Sequence, residues 1–219
     1  MTPAKPVLGL IGAIGAGKST VARLLAERGG AVVDADRLGH EVLDEPSVKA
    51  ELVTRWGAGV LKPDGTANRR AIGDIVFRSP AERATLEAIV FPRIHARESE
   101  LFAQADADPA AHFVVLDAAV LLEAGHEARC AKLLFVDAPR ELRLERLRER
   151  SGWGADELDR REAAQWPLAV KRLRADAVLD NDGTPEVLAT RLDDILRRWH
   201  WPHAAVGAQD RRRTELSHE

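Results

Sequence analysis

The sequence predicts an α/β fold of three layers, in which helices cover both faces of a five-stranded parallel sheet. Short apolar runs rich in Val, Leu and Ile recur along the chain, and stretches of helical periodicity separate most of them. A glycine-rich loop joins the first run directly to the first helical stretch. Runs that are apolar throughout are typical of strands buried on both faces. The predicted strands are Val7–Ile11, Ala31–Val33, Phe113–Leu116, Lys132–Val136 and Ala177–Leu179.

Helices are predicted at both ends of this core. The first follows the glycine-rich loop and ends at Gly29 and Gly30, because glycine often terminates a helix. The last begins near Thr184 and Pro185 and runs to about Trp199, with apolar residues at helical spacing. Both helices are expected to pack against the core.

The long segment between the second and third strands has no strong strand signal. Helical patterns occur at 47–56, 71–77 and 81–105. Pro92 is expected to interrupt the last of them, because proline cannot donate a helical hydrogen bond. We interpret the segment as a helical insertion. An insertion that follows the second strand is well placed to cover the carboxyl edge of the sheet, where ligands of open α/β folds bind.

Charge and composition exclude several function classes. The chain carries 32 basic and 35 acidic residues, so it lacks the positive field that is usual in nucleic-acid-binding proteins. Cys130 is the single cysteine, which excludes an intrachain disulfide and fits a reducing compartment. No apolar run approaches the roughly 20 residues that span a bilayer. We expect a cytoplasmic protein that binds neither nucleic acid nor membrane, and no obligate protein partner is indicated.

The glycine-rich loop carries the most specific motif of the sequence. Gly12–Ser19 matches G-x-x-x-x-G-K-[ST], directly after a predicted strand and directly before a predicted helix. In such a loop, backbone N–H groups and the helix N-terminus surround phosphate oxygens. Lys18 would reach the β and γ phosphates of ATP, and Ser19 would bind Mg²⁺. The residues expected to contact the nucleotide are Gly12, Gly15, Ala16, Gly17, Lys18, Ser19 and Thr20.

This loop narrows the class of protein. The alternative is that Gly12–Ser19 is a glycine-rich turn with a chance lysine. The predicted strand before the loop and the predicted helix after it favour a phosphate-binding loop instead. Glycines at 12, 15 and 17 do not supply the G-x-G-x-x-G motif of dinucleotide-binding folds. The sequence contains neither the N-K-x-D run of GTPases nor the L-S-G-G-Q run of transporter ATPases. Once these three classes are disfavoured, the sequence indicates a kinase with a P-loop NTPase fold.

Carboxylates are predicted at the ends of two strands. The second strand is expected to continue through Asp34 to Asp36, and strand alternation would then put both side chains on the same side. One of them could accept the proton of an attacking hydroxyl, with capping of the next helix as the alternative. Asp117 ends the third strand, where it could hold Mg²⁺ through water, and capping is again the alternative.

A stripe of arginines follows the fourth strand. Arg143, Arg146 and Arg150 stand at i, i+3 and i+7, so they share one face of a predicted helix. Their place before Gly152 and Gly154 resembles the lid of small-molecule kinases, where arginines meet the transferring phosphoryl group. The alternative is a solvated helix in which glutamates of the same helix pair with the arginines.

Several segments, in this order along the chain, resemble the dephospho-coenzyme A kinase family. They are 10–22, 33–36, 68–69, 76–77, 117–123, 161–165 and 175–183. The resemblance covers roughly residues 7–196 and implies transfer of the ATP γ-phosphate to the ribose 3′-hydroxyl of dephospho-coenzyme A, the last step of coenzyme A synthesis. In this family pattern, Asp36 matches the proposed base.

The resemblance also implies roles for single residues. Arg69 and Arg161 match acceptor-binding arginines. Asn181 matches a residue near the adenine, although a plain turn would also favour Asn before Asp-Gly. The lid arginines would act on the phosphates, Arg143 as a nucleotide contact and both Arg146 and Arg150 in catalysis.

The predicted organisation is a single P-loop kinase domain over residues 1–199. Its core covers about 5–40, 110–142 and 172–199, its acceptor-binding insertion about 41–109, and its lid about 143–171. Residues 200–219 are predicted to form a flexible tail. Two alternatives stay open: another small-molecule P-loop kinase, and an ATP-binding module that no longer transfers phosphate.

Overall fold

The computed structural model describes residues 5–203, which contain five strands. The strands are β1 (Val7–Gly12), β2 (Gly30–Asp34), β3 (Phe113–Asp117), β4 (Lys132–Asp137) and β5 (Ala177–Asp180). They form one sheet in the order β2-β3-β1-β4-β5. β1 pairs in parallel with β3 and β4, and β4 pairs in parallel with β5. The predicted α/β fold with a five-stranded parallel sheet is confirmed.

Burial of each strand follows its position in the sheet. Every residue of the central strand β1 is buried, as are the first four residues of β3 and the middle four of β4. The edge strands β2 and β5 are more exposed. Continuous apolar runs therefore mark the three inner strands, because both faces of an inner strand are shielded from water.

Nine α-helices lie within residues 5–203. They are α1 (Lys18–Glu27), α2 (Ala35–Leu43), α3 (Pro46–Trp56), α4 (Arg69–Arg78), α5 (Pro80–Ala107), α6 (Arg140–Ser151), α7 (Ala155–Glu162), α8 (Leu168–Arg174) and α9 (Pro185–Arg198). Both core helices agree with their predictions, since α1 ends just before Gly29 and Thr184 caps the first turn of α9. None of these helices is long and apolar enough to cross a membrane.

The chain divides into two compact units. The first contains the sheet and comprises residues 1–33 and 102–219, of which 5–33 and 102–203 are described. Its core joins β1, β3 and β4 to the buried faces of α1 and α9. The second, Asp34–Leu101, has a helical core of its own, formed by Val42, Val48, Leu52, Val60, Ala67, Ile72 and Val90.

Pro92 does not interrupt the helix in which it lies, and that prediction was wrong. α5 runs for 28 residues with Pro92 inside it. Proline removes one backbone donor, but the residues on either side keep their own helical bonds. Arg93 Nη1 also donates to the carbonyl oxygen of Ile89 at 2.6 Å, which supplies a side-chain bond within this turn.

The start of the predicted tail packs against the core at Trp201. Trp201 is 7% exposed and belongs to the core that contains β1, and its ring meets the Phe113 ring edge-on at 6.0 Å between centroids. A buried indole removes a large apolar area from water, which outweighs the polar character of its neighbours in the sequence. Residues 204–219 of the predicted tail lie outside the described residues.

Candidate active site

The phosphate loop connects β1 to α1 at the carboxyl end of the central strand. Gly15 and Gly17 have φ angles of 80° and 93°, in the left-handed region that side chains disfavour. A Cβ atom on Gly17 would lie 2.3 Å from Asn181 Nδ2, so the loop has no room for one. α1 begins at Lys18, and its positive N-terminal end therefore lies at the loop. This backbone is that of an anion-binding site.

Three side chains hold the carbonyl oxygens of the loop. Arg143 Nη1 donates to Ile14 O at 3.0 Å. Asn181 Nδ2 donates to Ala16 O at 2.7 Å, and Arg146 Nη1 approaches the same oxygen at 3.4 Å. The structure thus brings three of the predicted nucleotide-binding or catalytic residues to the loop. Their contacts with a nucleotide stay a prediction.

Arg143 lies inside the protein and is only 5% exposed. Its Nε donates to Ala138 O at 3.2 Å, and its Nη1 pairs with Glu162 Oε1 at 2.5 Å. Glu162 is the last residue of α7, not a neighbour on α6. The alternative in which glutamates of the same helix pair with the stripe therefore does not describe Arg143.

The other predicted lid arginines lie nearer the surface. Arg146 is half-buried and also donates through Nη2 to Asn181 O at 3.1 Å, whereas Arg150 is exposed. Arg161 stacks on the Trp153 ring, with Cζ 3.9 Å from the ring centroid, and pairs with Glu157 at 2.6 Å. The stripe therefore runs from a buried arginine at its start to an exposed one at its end.

Asn181 follows β5 and is 6% exposed. Its backbone N–H donates to Asp137 O at 2.8 Å, which extends the pairing of β5 with β4 by one residue. Its side-chain amide donates to the carbonyl oxygen of Ala16 in the phosphate loop. A plain surface turn does not account for this burial or for the contact with Ala16.

Asp117 lies where the sequence predicted it, as the last residue of β3. It is in register with Leu10 of β1, two residues before the phosphate loop begins at Gly12. Ser19, in the first turn of α1, offers a hydroxyl oxygen at the same loop. Beside phosphates, Mg²⁺ takes hydroxyl, carboxylate and water oxygens as ligands. The oxygen donors of Ser19 and Asp117 are therefore of the type that fits a magnesium ion.

The two aspartates after β2 do not share a strand, and that prediction was wrong. β2 ends at Asp34, whose carboxylate accepts a hydrogen bond from Arg37 N at 2.8 Å and caps α2. Asp36 is then an exposed residue of the first turn of α2. A capping carboxylate satisfies an N–H group that α2 would otherwise leave unpaired, which favours ending the strand two residues earlier.

In the same unit, Arg69 is the exposed first residue of α4.

A second buried cation was missed by the sequence analysis. Lys171 of α8 is 1% exposed, and its Nζ donates to Ala119 O at 3.1 Å and to Gln165 Oε1 at 3.0 Å. It also pairs with Glu123 Oε1 at 2.9 Å. In the sequence Lys171 is one cation among several basic residues of α8, so no local signal distinguishes it.

The carboxylate of Glu123 links this cation to the chain after α7. Trp166 N donates to Glu123 Oε1 at 2.8 Å. Burial, the largest single influence, would raise the pKa of Glu123. Hydrogen bonds from Lys171, from the Trp166 N–H and from its own N–H, together with the positive charge of Lys171, outweigh burial and hold the pKa below its ordinary value. The segment after β3 and the segment after α7 are thereby joined by a charged cluster.

The sheet and the loop that follows its central strand indicate a P-loop protein. A parallel sheet whose central strand ends in a G-x-x-x-x-G-K-[ST] loop, with a carboxylate at the end of the adjacent strand, is the architecture of P-loop kinases. Comparison with known proteins narrows this class. The model of the dephospho-CoA kinase family matches residues 6–186. The chain belongs to the dephospho-CoA kinase family.

Individual relatives agree with this assignment. The chain is 44% identical over 194 residues to a dephospho-CoA kinase of Anaeromyxobacter dehalogenans, with 87% of this chain and 90% of that protein covered. It is 46% identical over 191 residues to a dephospho-CoA kinase of Deinococcus radiodurans, with 87% and 91% covered. Both alignments therefore span nearly the whole of the relative.

Solved structures extend the comparison to the fold. The crystal structure of TT1252 from Thermus thermophilus superposes with a TM-score of 0.75 at 36% identity, covering 89% of this chain and 97% of that one. A dephospho-CoA kinase from Campylobacter jejuni has a TM-score of 0.58 at 23% identity, covering 89% and 97%. The second likeness supports the fold alone.

Proposed function

We propose that this chain transfers the γ-phosphate of ATP to the ribose 3′-hydroxyl of dephospho-coenzyme A, with Mg²⁺ as the metal ion. The observation that carries the proposal is a complete phosphate loop, Gly12–Ser19, in a chain that belongs to the dephospho-CoA kinase family. The lone cysteine, Cys130, fits activity in a reducing compartment, and we propose the cytoplasm.

The nucleotide half of the reaction is assigned to the sheet-bearing unit. The loop N–H groups and Lys18 would bind the β and γ phosphates, and Asn181 would lie near the adenine. Ser19 and Asp117 would hold Mg²⁺, the latter through water, and the ion would supply positive charge beside the phosphate oxygens. Arg146 and Arg150 would neutralise charge on the phosphoryl group as it moves.

The acceptor half is assigned to three residues. Asp36, in the first turn of α2, would orient the ribose hydroxyl and accept its proton through the carboxylate. Arg69 and Arg161 would bind the acceptor by charge-assisted hydrogen bonds to phosphate. In this assignment the protein supplies positioning and electrostatic stabilisation, which carry most of the catalysis in phosphoryl transfer.

A substrate panel tests the proposal. Purified protein is mixed with MgATP and one acceptor at a time: dephospho-coenzyme A, adenosine, AMP or pantetheine. ADP formation is followed together with the mass of each acceptor. We expect a gain of one phosphate on dephospho-coenzyme A alone. Transfer to AMP or adenosine instead would favour a different small-molecule kinase, and bound ATP without any transfer would favour the nucleotide-binding module.

A further inference from the structure

We propose that Arg143 and Glu162 form a positioning pair, which orients the Ile14–Gly15 peptide of the phosphate loop and so sets the affinity for MgATP. The proposal rests on the proposed function, because it names residues that would support nucleotide binding at the same site. It differs from a direct contact between Arg143 and the nucleotide, which the sequence had indicated.

The geometry of one peptide group carries the first step. Arg143 Nη1 donates to the carbonyl oxygen of Ile14, and this oxygen shares a trans peptide plane with the N–H of Gly15. In a trans peptide the C=O and N–H bonds point in opposite directions. A carbonyl held toward Arg143 therefore turns the Gly15 N–H to the other side of the loop backbone. Inward-turned N–H groups are what such a loop uses to bind phosphate.

The close approach of α6 to the loop is a second observation. A Cβ atom on Gly15 would lie 3.0 Å from the carbonyl oxygen of Arg143 and 3.1 Å from the Leu147 side chain. The backbone of α6 thus packs directly against Gly15. Its φ of 80° lies in a region open to glycine, and glycine has no side chain to restrict the orientation of the Ile14–Gly15 peptide. A donor on α6 is well placed to select one orientation of this peptide.

Glu162 explains how Arg143 stays in place. The Arg143 guanidinium is buried, and burying a charge without a partner is strongly unfavourable. Glu162 Oε1 accepts from the same nitrogen, Nη1, that donates to Ile14 O, so one nitrogen joins α7 to the loop. The Nε bond to Ala138 O fixes the plane of the guanidinium. Removing Glu162 should therefore release the guanidinium and loosen the peptide.

Arg140 provides a matched control. It lies on the same helix and also pairs with α7, through Nη2 and Asp159 Oδ1 at 2.6 Å, but the pair is exposed. Arg140→Met thus breaks an ion pair between the same two helices. Its partner Asp159 lies on α7 and not in the phosphate loop. We expect MgATP affinity to be unchanged in this variant.

The experiment measures MgATP affinity by calorimetry in the absence of acceptor, for the wild type, Arg143→Met, Glu162→Ala and Arg140→Met. We expect Arg143→Met to weaken MgATP binding about tenfold, the typical effect of losing one hydrogen bond from a charged donor. Glu162→Ala should weaken it in the same direction. In steady-state assays the KM for ATP should rise, with kcat and the KM for dephospho-coenzyme A unchanged.

The sign of the Glu162→Ala effect separates the two roles of Arg143. If Arg143 bound phosphate directly, freeing it from Glu162 would leave MgATP affinity unchanged or raise it, and either result would overturn the proposal. Equal affinity in Arg143→Met and wild type would also overturn it. Should Arg143→Met fail to fold, Glu162→Ala decides the question alone. Because affinity is measured without acceptor, failure to phosphorylate dephospho-coenzyme A would count against the proposed function only.

Discussion

Arg143 and Lys171 are buried, whereas Arg150 and Arg161 of the same segment between β4 and β5 are exposed. The two buried cations donate to backbone carbonyl oxygens far away in the chain and pair with a carboxylate. Arg161, by contrast, contacts side chains of its own neighbourhood, Trp153 and Glu157. The two buried cations thus hold other loops in place, whereas the exposed Arg161 stays with residues of its own neighbourhood.

The buried pair also differ from each other. Arg143 reaches the phosphate loop. Its planar guanidinium donates to three acceptors, which are the carbonyl oxygens of Ala138 and Ile14 and the carboxylate of Glu162. Lys171 reaches the segment after β3 through a compact ammonium group. We therefore expect the loss of Lys171 to lower stability and the loss of Arg143 to lower nucleotide affinity as well. Substitutions at buried and exposed charged residues test this division.

Lys171→Met should lower the free energy of unfolding by about 3 kcal/mol, because it removes a buried ammonium group and leaves the half-buried Glu123 carboxylate without its cation. Urea unfolding measures this loss. Lys132→Met is the control, since Lys132 pairs with Asp176 at the surface, and that pair is worth about 1 kcal/mol or less. Equal losses in the two variants would contradict the distinction between buried and exposed cations. MgATP affinity of folded Lys171→Met should match the wild type.

Asp36→Asn should lower turnover by about 10² while leaving the unfolding free energy and MgATP affinity nearly intact. The amide cannot accept the hydroxyl proton, and the exposed position of Asp36 tolerates the change. Asp34→Asn is the matched variant, because an asparagine there still caps α2. Turnover that is unchanged in Asp36→Asn, or that falls equally in Asp34→Asn, would remove Asp36 from the role of base.

Arg150→Met should lower turnover about tenfold, as expected for the loss of one charged donor to the transferring group. Its stability should not change, because the side chain is exposed. Arg148→Met, also exposed and near the end of α6, should leave both quantities unchanged. If Arg150→Met instead destabilised the fold as much as Lys171→Met, exposure would not separate the two kinds of cation.

Acid should remove the stability contributed by Glu123. Burial would raise its folded-state pKa, but hydrogen bonds from Lys171 and from two backbone N–H groups, together with the charge of Lys171, lower this pKa overall. The unfolded chain therefore binds this proton first, and stability is lost as pH falls below the ordinary glutamate value of 4.5 toward the lower folded-state pKa. Unfolding of wild type and Glu123→Gln across this range measures the effect. A Glu123→Gln profile as steep as the wild type would contradict it.

Local patterns predicted the sheet and the phosphate loop well. Each predicted apolar run lies within an observed strand, because buried strands form short apolar runs whose character does not depend on their partners. The phosphate loop and Asp117 were also placed correctly along the chain, since both lie at strand ends. Asp36 was misplaced because residue type alone does not say whether a carboxylate continues a strand or caps a helix.

The partners of the buried charges were beyond local patterns. The bond from Arg143 to Ile14 spans 129 residues, and the bond from Lys171 to Ala119 spans 52. On the sequence, Arg143 is one of three equivalent arginines of a helical stripe, and only packing against the loop and α7 distinguishes it. Burial of Trp201 is likewise a consequence of a distant neighbour, Phe113, which the local sequence does not name.

The α/β class, the strand positions, the phosphate loop and its expected chemistry could be predicted from the amino-acid sequence, because each depends on periodicity or on residues that are adjacent in the chain. Which charges are buried, and which loop each of them holds, became clear from the folded chain. The physical reason is that burial makes a charge depend on its partners, and those partners come from parts of the chain that only folding brings together.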